Sequence, residues 1–220
     1  MNTDLYFNAH THTPAPNAVI NAPMASVDFE PQLLYSIGIH PWDYLQYCEN
    51  AERLQHWLRT AAALPQVVAI GECGMDRAIE TEIELQEDVF RLQVKVAQEY
   101  QKTLIIHCVR AYNDILKVLK QTKCTQPVVF HKFTGNMQTY ESFRNFDCYY
   151  SFGAELCTRT KSVEMLRTLP LERIVFENDI SNVSMQEIYD FAARQIGISV
   201  EMLCETVQRS AERIFSVSNR

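Results

Sequence analysis

Seven side chains able to bind a metal or move a proton stand at the ends of short apolar runs. They are His10 and His12 in NAHTH, His40 in GIHP, Glu72 in AIGEC, His107 in IIHC, His131 in VFHK and Asp179 in VFEND. In a strand, successive side chains alternate between faces, so His10 and His12 point the same way and both imidazoles can reach one ion. Glu72 has two oxygens and can bridge two ions, His107 and His131 bring nitrogens from later runs, and Asp179 closes the set. Four histidines and two carboxylates make a mixed nitrogen/oxygen set that suits Zn²⁺, Mn²⁺ or Fe²⁺, and Mg²⁺ less well. A pair of such ions polarises an ester or phosphoryl oxygen and lowers the pKa of water to roughly 7. Asp179 is positioned to take that water's proton.

Each residue alone has a plainer reading as a satisfied core or loop residue; the recurrence of ligand types at run ends carries the argument. His56, in the helical pattern HWLR, is expected at the surface or in packing. Glu177 shares a strand face with Asp179 and is an alternative to it. Asp76 either orients a ligand from behind or caps its loop.

These residues must be brought together by the elements that carry them. Strand-like runs are Leu5–Ala9, Ala18–Asn21, Leu34–Ile39, Val67–Ile70, Leu104–Ile106, Val128–Phe130, Cys148–Phe152 and Arg173–Phe176. Most are apolar on both faces, as buried parallel strands are. Helical patterns fall between the later runs, over Glu82–Gln101, Ala111–Leu119, Lys161–Leu169, Ser184–Ile196 and Ser199–Phe215. In the first of these, Leu85, Val89, Leu92 and Val96 form the apolar stripe. Eight strands alternating with helices predict an α/β fold, a (β/α)8 TIM barrel, with the ligands at the C-terminal ends of the strands. Between Thr13 and Pro31 stand Pro14, Pro16 and Pro23 and no helical pattern. The barrel is therefore expected to be trimmed or distorted around its first βα unit. No linker or repeat interrupts residues 1–220, which read as one domain.

The net charge of −7 argues against a broad nucleic-acid-binding surface, while leaving room for a small basic groove. Seven scattered cysteines without a CxxC pair read as reduced thiols, with Cys73 and Cys108 as small buried residues. No signal peptide or membrane-length apolar run is visible, so a cytoplasmic location without membrane contact is expected. Nothing points to an obligate protein partner.

In order and spacing these motifs resemble the TatD family of metal-dependent hydrolases, within the amidohydrolase-like barrels. The family's HxH, GIHP, GExGLD, IHxR-x-A, HCFSG and ETD stand here as HTH 10–12, GIHP 38–41, GECGMD 71–76, IHCVRA 106–111, HKFTG 131–135 and END 177–179. Gln86 and Phe90 also fit, as do SFG 151–153 and SAERIF 210–215. The resemblance implies one metal held by His10, His12, Glu72 and Asp179, and a second by Glu72, His107 and His131. It implies His40 as a contact to the scissile phosphate, and hydrolysis of phosphodiester bonds, often by removal of nucleotides from DNA ends. The chain departs from the pattern in several places. Asn8 stands for the aspartate of DTHCH, and the interval from His12 to His40 is short. Arg110 falls one place later than in HSRDA. Lys132 replaces a cysteine, and Ile-Ser-Asn follows Asp179 in place of Ala-Pro.

The expected function is therefore divalent-metal-dependent phosphodiester hydrolysis on single-stranded DNA ends. Arg77, Arg110 and Lys132 could meet phosphate, and Trp42, Tyr44 and Tyr112 could stack on bases or equally be ordinary packing and loop aromatics. Two alternatives are a hydrolase of another ester, lactone or amide on the same metals, and a non-catalytic metal-binding protein. Six buried polar residues without a metal would be costly to keep, which weighs against the last.

Overall fold

The apolar runs become the staves of a barrel. The computed structural model describes residues 5–216. Its eight strands lie in sequence order, all parallel: β1 Asn8–Thr11, β2 Ala18–Asn21, β3 Leu34–Ile37, β4 Val67–Asp76, β5 Thr103–Val109, β6 Val128–Phe130, β7 Cys148–Phe152 and β8 Ile174–Phe176. The barrel is nearly closed at the mouth. Thr11 forms a parallel bridge to Asp179, and the Asp179 N–H donates to the His10 carbonyl at 3.1 Å.

The helices are α1 Tyr44–Glu49, α2 Ala51–Ala62, α3 Ile83–Glu99, α4 Tyr112–Thr122, α5 Met137–Ser142, α6 Thr160–Thr168, α7 Met185–Ile196 and α8 Val200–Phe215. Their ends follow local chemistry. Ser184 and Glu187 form a capping box at α7, Gly197 ends that helix at φ 84°, and Ser199 caps α8. The sequence pattern shows neither α1 nor α5, each a six-residue helix, and marks only part of α2, around His56. The buried face of α3 is wider than the expected stripe: it adds Phe90, Val94 and Ala97 to Val89 and Val96, and leaves Leu85 and Leu92 half-buried. No helix among the described residues is long and apolar enough to cross a membrane.

The expected trimming is present. β1, β2 and β3 lie side by side with no helix between them. Residues 12–17 can span about 20 Å when extended. A four-residue strand rises only about 13 Å, so a loop suffices to return the chain.

Five strands differ in extent from the sequence reading: β3 ends two residues early at Ile37, β8 starts one residue late at Ile174, and β1, β4 and β5 differ by more. β1 begins at Asn8, three residues later than the apolar run, so His10 lies inside the strand and His12 just past its end. β4 continues through the whole GECGMD motif, with an irregular register between Ile70 and Cys73, and all ten of its residues are buried. β5 likewise runs on to Val109. The two extensions pair with each other, which requires Gly74: its φ is +138°, and a Cβ there would lie 2.0 Å from the His107 carbonyl oxygen.

Candidate metal centre

The C-terminal strand ends deliver all seven expected side chains to one cluster. Its centre is Glu72, whose backbone N–H donates at 3.0 Å to Asn21 Oδ1 of β2, across the intervening β3. The two Glu72 oxygens face different partners. Oε2 lies 3.5 Å from His10 Nε2 and 3.9 Å from His12 Nε2. Asp179 Oδ1 faces the same two nitrogens, at 3.5 and 3.3 Å. Oε1 lies 2.9 Å from His107 Nδ1, 3.4 Å from His40 Nε2 and 3.5 Å from His131 Nε2.

Groups behind the imidazoles bias which nitrogen each can offer. His131 Nδ1 is 2.7 Å from Glu177 Oε1, an ion-pair contact not aligned as a hydrogen bond, and its Nε2 faces Glu72. His107 Nε2 is 3.1 Å from Asp76 Oδ2, so its Nδ1, 2.9 Å from Glu72 Oε1, is the nitrogen turned to the centre. His10 is fully buried, and neither ring nitrogen makes an aligned hydrogen bond. His40 is different. Its Nδ1 accepts the Trp42 backbone N–H at 3.2 Å, so a neutral ring carries its proton on Nε2 and presents a donor to the centre.

The electrostatics are those of a site short of positive charge. Burial alone would strip the proton from His10, but Asp179 and Glu72 outweigh it and push its pKa up to about 10. Burial would also raise Glu72 and Asp179. The imidazoles of His131, His10, His107 and His40 hold Glu72 well below the usual carboxylate range instead. Asp179 is held below that range by His10, His12 and Lys132, whose Nζ contacts its Oδ2. Divalent cations satisfy the same carboxylates and take the imidazoles neutral. The donor set is all nitrogen and oxygen, and His10–His12–Asp179, His10–Glu72–His131 and His40–Glu72–His107 are each compact enough to surround an ion. The cluster thus fits divalent-metal binding.

Two buried glutamines of α3 hold the frame. Gln93 Oε1 accepts the Ile39 N–H at 2.7 Å, and its Nε2 donates to the Ile39 carbonyl at 3.0 Å. Gln86 makes the same pair of bonds with the Asp76 backbone, at 2.7 and 3.0 Å. Seven residues apart, they share one helix face and act as extra ladder rungs beside His40 and Asp76. Gln86 is already marked by its fit to the family pattern, whereas Gln93 has no sequence signal beyond a polar residue beside the apolar stripe. Asp76 itself does both things expected of it, backing His107 and accepting the Ala78 N–H at 2.8 Å.

Other sequence expectations divide. Glu177 is fully buried behind His131 and does not substitute for Asp179. The alternation that would place both on one face is broken because Asp179 has φ 51°. Arg77 is engaged by Asp114 at 2.6 and 2.8 Å, so it is no free phosphate contact. Tyr44 is fully buried with its hydroxyl donating to the Gly74 carbonyl at 2.7 Å, and Tyr112 packs against Phe130, Phe133 and Phe143. Neither is available to a base. Arg110 is exposed but lies outside the residues lining the cleft. Lys132, Trp42 and Cys108 do line it, and Cys108 is kept a thiol by burial, which pushes its pKa up to about 12. Cys73 is a buried packing residue, and His56 is exposed on α2. The cleft, of about 1060 Å³, also holds Arg159, which sequence reasoning passed over; it precedes α6 and carries no local motif.

Asn8, where the resemblance expects aspartate, is explained by its partner. Its Nδ2 donates to Asn178 Oδ1 at 2.8 Å, and its Oδ1 lies 3.3 Å from the His10 and Asn178 N–H groups. Asn178 is itself the residue that differs from the threonine of ETD. The two departures touch each other, and together they tie β1 to the segment after β8.

Fold and cluster together define a TIM-type barrel with a candidate divalent-metal centre at its mouth. The chain belongs to the family of TatD related DNases, whose model matches residues 11–218. Among curated relatives, the uncharacterized metal-dependent hydrolase YabD of Bacillus subtilis is 28% identical over 83% of this chain and 77% of its own length. The 3'-5' ssDNA/RNA exonuclease TatD of Citrobacter rodentium is 31% identical over 68% of this chain, a match that spans 57% of that protein's length. Among solved structures, the TatD homologue YJJV of Escherichia coli superimposes with a TM-score of 0.82 at 18% identity, covering 98% of this chain and 100% of that one.

Proposed function

We propose that this protein is a divalent-metal-dependent phosphodiesterase that removes nucleotides from the ends of single-stranded DNA. The observation that carries the reading is the division around Glu72. One oxygen faces His10 and His12, which Asp179 also faces, and the other faces His107 and His131. This supports two ions, one held by His10, His12, Glu72 and Asp179 and one by Glu72, His107 and His131, with Glu72 shared. The nitrogen/oxygen donors favour Zn²⁺, Mn²⁺ or Fe²⁺ over Mg²⁺. Bound there, such ions supply Lewis acidity, polarising a phosphoryl oxygen and bringing the pKa of water to roughly 7.

The chain's own residues do the rest. Asp179, at the open cleft, takes the proton of the attacking water, and Lys132 beside its Oδ2 keeps it ionised to do so. His40 stands outside the ligand set because its Nδ1 is occupied by the Trp42 N–H; its Nε2–H donates to a phosphate oxygen. Lys132 and Arg159 bring positive charge to a mouth on an otherwise acidic chain. The relative named as a 3'-5' ssDNA/RNA exonuclease supports the choice of single-stranded nucleic acid as substrate. A cytoplasmic location accords with such a substrate.

The test is end-labelled single-stranded DNA with Mn²⁺ or Mg²⁺, beside a panel of p-nitrophenyl phosphates, for the wild type and Glu72→Ala. Progressive shortening by the wild type and none by the variant is expected. Intact DNA beside rapid ester hydrolysis, or full activity of Glu72→Ala, overturns the reading.

A further inference from the structure

Among the described residues, seven large apolar side chains are strongly exposed, and two of them, Trp42 at 67% and Ile180 at 74%, line the cleft that holds the metal cluster. An exposed tryptophan is commonly a mobile surface ring. This one is fixed. Its indole Nε1–H donates at 3.0 Å to Asp76 Oδ2, which is also the atom facing His107 Nε2 at 3.1 Å. Asp76 is 3% exposed and is held in turn by Ala78 and Gln86. The Trp42 ring meets the His40 ring edge-on, with centroids 4.9 Å apart at 87°, and its backbone N–H sets the His40 tautomer. One buried carboxylate therefore orients both a candidate ligand of the metal centre and an open aromatic face beside it. A rigid ring loses little freedom when a ligand stacks on it, and every nucleobase offers a π-face.

We propose that Trp42, with Ile180 completing the apolar lining, is a nucleobase subsite for the nucleotide adjoining the scissile phosphate. The substrate is then a strand with an unpaired terminal base, because a base held in a duplex cannot stack there without first leaving its partner. Alkyl phosphate esters lack the π-face that the subsite holds. The inference rests on the phosphodiesterase reading above and deepens it by naming what is recognised beside the phosphate. Trp42 touches the base and not the reacting atoms; it is a specificity residue whose contribution appears in substrate affinity.

The chain's other tryptophan, Trp57, is buried and donates its indole N–H to the Ser26 carbonyl at 2.6 Å, so Trp42 supplies the solvent-sensitive fluorescence. The experiment measures kcat/KM and tryptophan quenching for two single-stranded oligonucleotides that differ only in whether the terminal residue carries a base or is abasic. Wild type, Trp42→Ala and Trp42→Phe are compared in the presence of Mn²⁺. The wild type is expected to prefer the base-bearing strand by about 5- to 150-fold, the range set by base–aromatic stacking. The preference should appear mainly in KM, with fluorescence quenched by the base-bearing strand alone. Trp42→Ala should erase the preference while still cleaving the abasic strand, and Trp42→Phe should keep part of it. Cleavage of both strands by the wild type at equal efficiency, or an unchanged preference in Trp42→Ala, overturns the subsite and leaves the phosphodiesterase reading standing. No cleavage of either strand overturns both.

Discussion

Replacing Glu177 with glutamine removes the charge behind one imidazole and leaves the side chain's shape. Glu177 is fully buried; its Oε1 stands 2.7 Å from His131 Nδ1 and 3.2 Å from the Lys132 N–H. In Glu177→Gln the amide oxygen can keep those two contacts, but the anion that makes His131 a stronger donor through Nε2 is gone. The amide nitrogen would stand where Oε2 now has no hydrogen-bond partner, adding buried donors with nothing to receive them. Outer partners of this kind are worth 10- to 100-fold in metal affinity, or about 1.4–2.8 kcal/mol. The loss should fall mainly on one ion, because the direct partners of Glu177 are His131 and the Lys132 N–H, while His10 feels only the last and smallest of the charges that raise it from Glu177. Calorimetric titration of the EDTA-stripped protein with Mn²⁺ or Zn²⁺ is the assay. The expected result is one weakened binding step beside one unchanged, with the proposed nuclease activity returning as metal is raised. Two unchanged steps, or two weakened equally, would refute the reasoning that Glu177 acts through His131.

Two further outcomes follow from the same geometry. Asn8→Asp should destabilise the protein by about 1–3 kcal/mol, since its carboxylate cannot donate to Asn178 Oδ1 and a buried polar pair is broken. Adding Asn178→Thr should recover most of that loss, measured by denaturant unfolding as a double-mutant cycle, and simple additivity would show that the two positions are not coupled. In EDTA, stability should fall on both sides of a mildly acid plateau. The depressed carboxyls of Glu72 and Asp179 contribute fully above their ordinary values of 4.5 and 3.8, and their contribution is lost as pH drops below these. The raised imidazole of His10 contributes fully below 6.5, and its contribution is lost as pH climbs through about 10. Saturating metal should flatten the alkaline limb in a melting series, because a cation takes the place of the protons; a metal-free protein that grows more stable from pH 6.5 to 10 would contradict this.

Much of the centre was legible in the chain because a buried parallel strand must be apolar. A histidine or carboxylate closing such a run stands out, and its place at the strand end already assigns it to the mouth. His10, His12, Glu72, His107, His131 and Asp179 could be named on that ground, and the prolines after His12 announced the missing helix. What a local pattern cannot show is where a strand stops. The GECGMD motif reads as a loop by its glycines, yet it is strand, because Gly74 lets the backbone of β5 approach where a side chain would collide. Nor can it show which tyrosine is buried: Tyr44 near the mouth looks like a base platform and is a core residue.

The types of the candidate ligands, their order around the barrel and the shortened opening are properties of sequence, set by hydrophobic period and by residues that forbid a helix. Their partners are properties of tertiary structure. The Asn8–Asn178 clasp joins residues 170 positions apart. Glu177 turns from the cluster to the back of His131 because the chain enters the left-handed region at Asp179. The proton on His40 is placed by one backbone N–H. Hydrogen bonds of this kind depend on distance and direction in space, and closing the barrel is what brings those atoms within reach of one another.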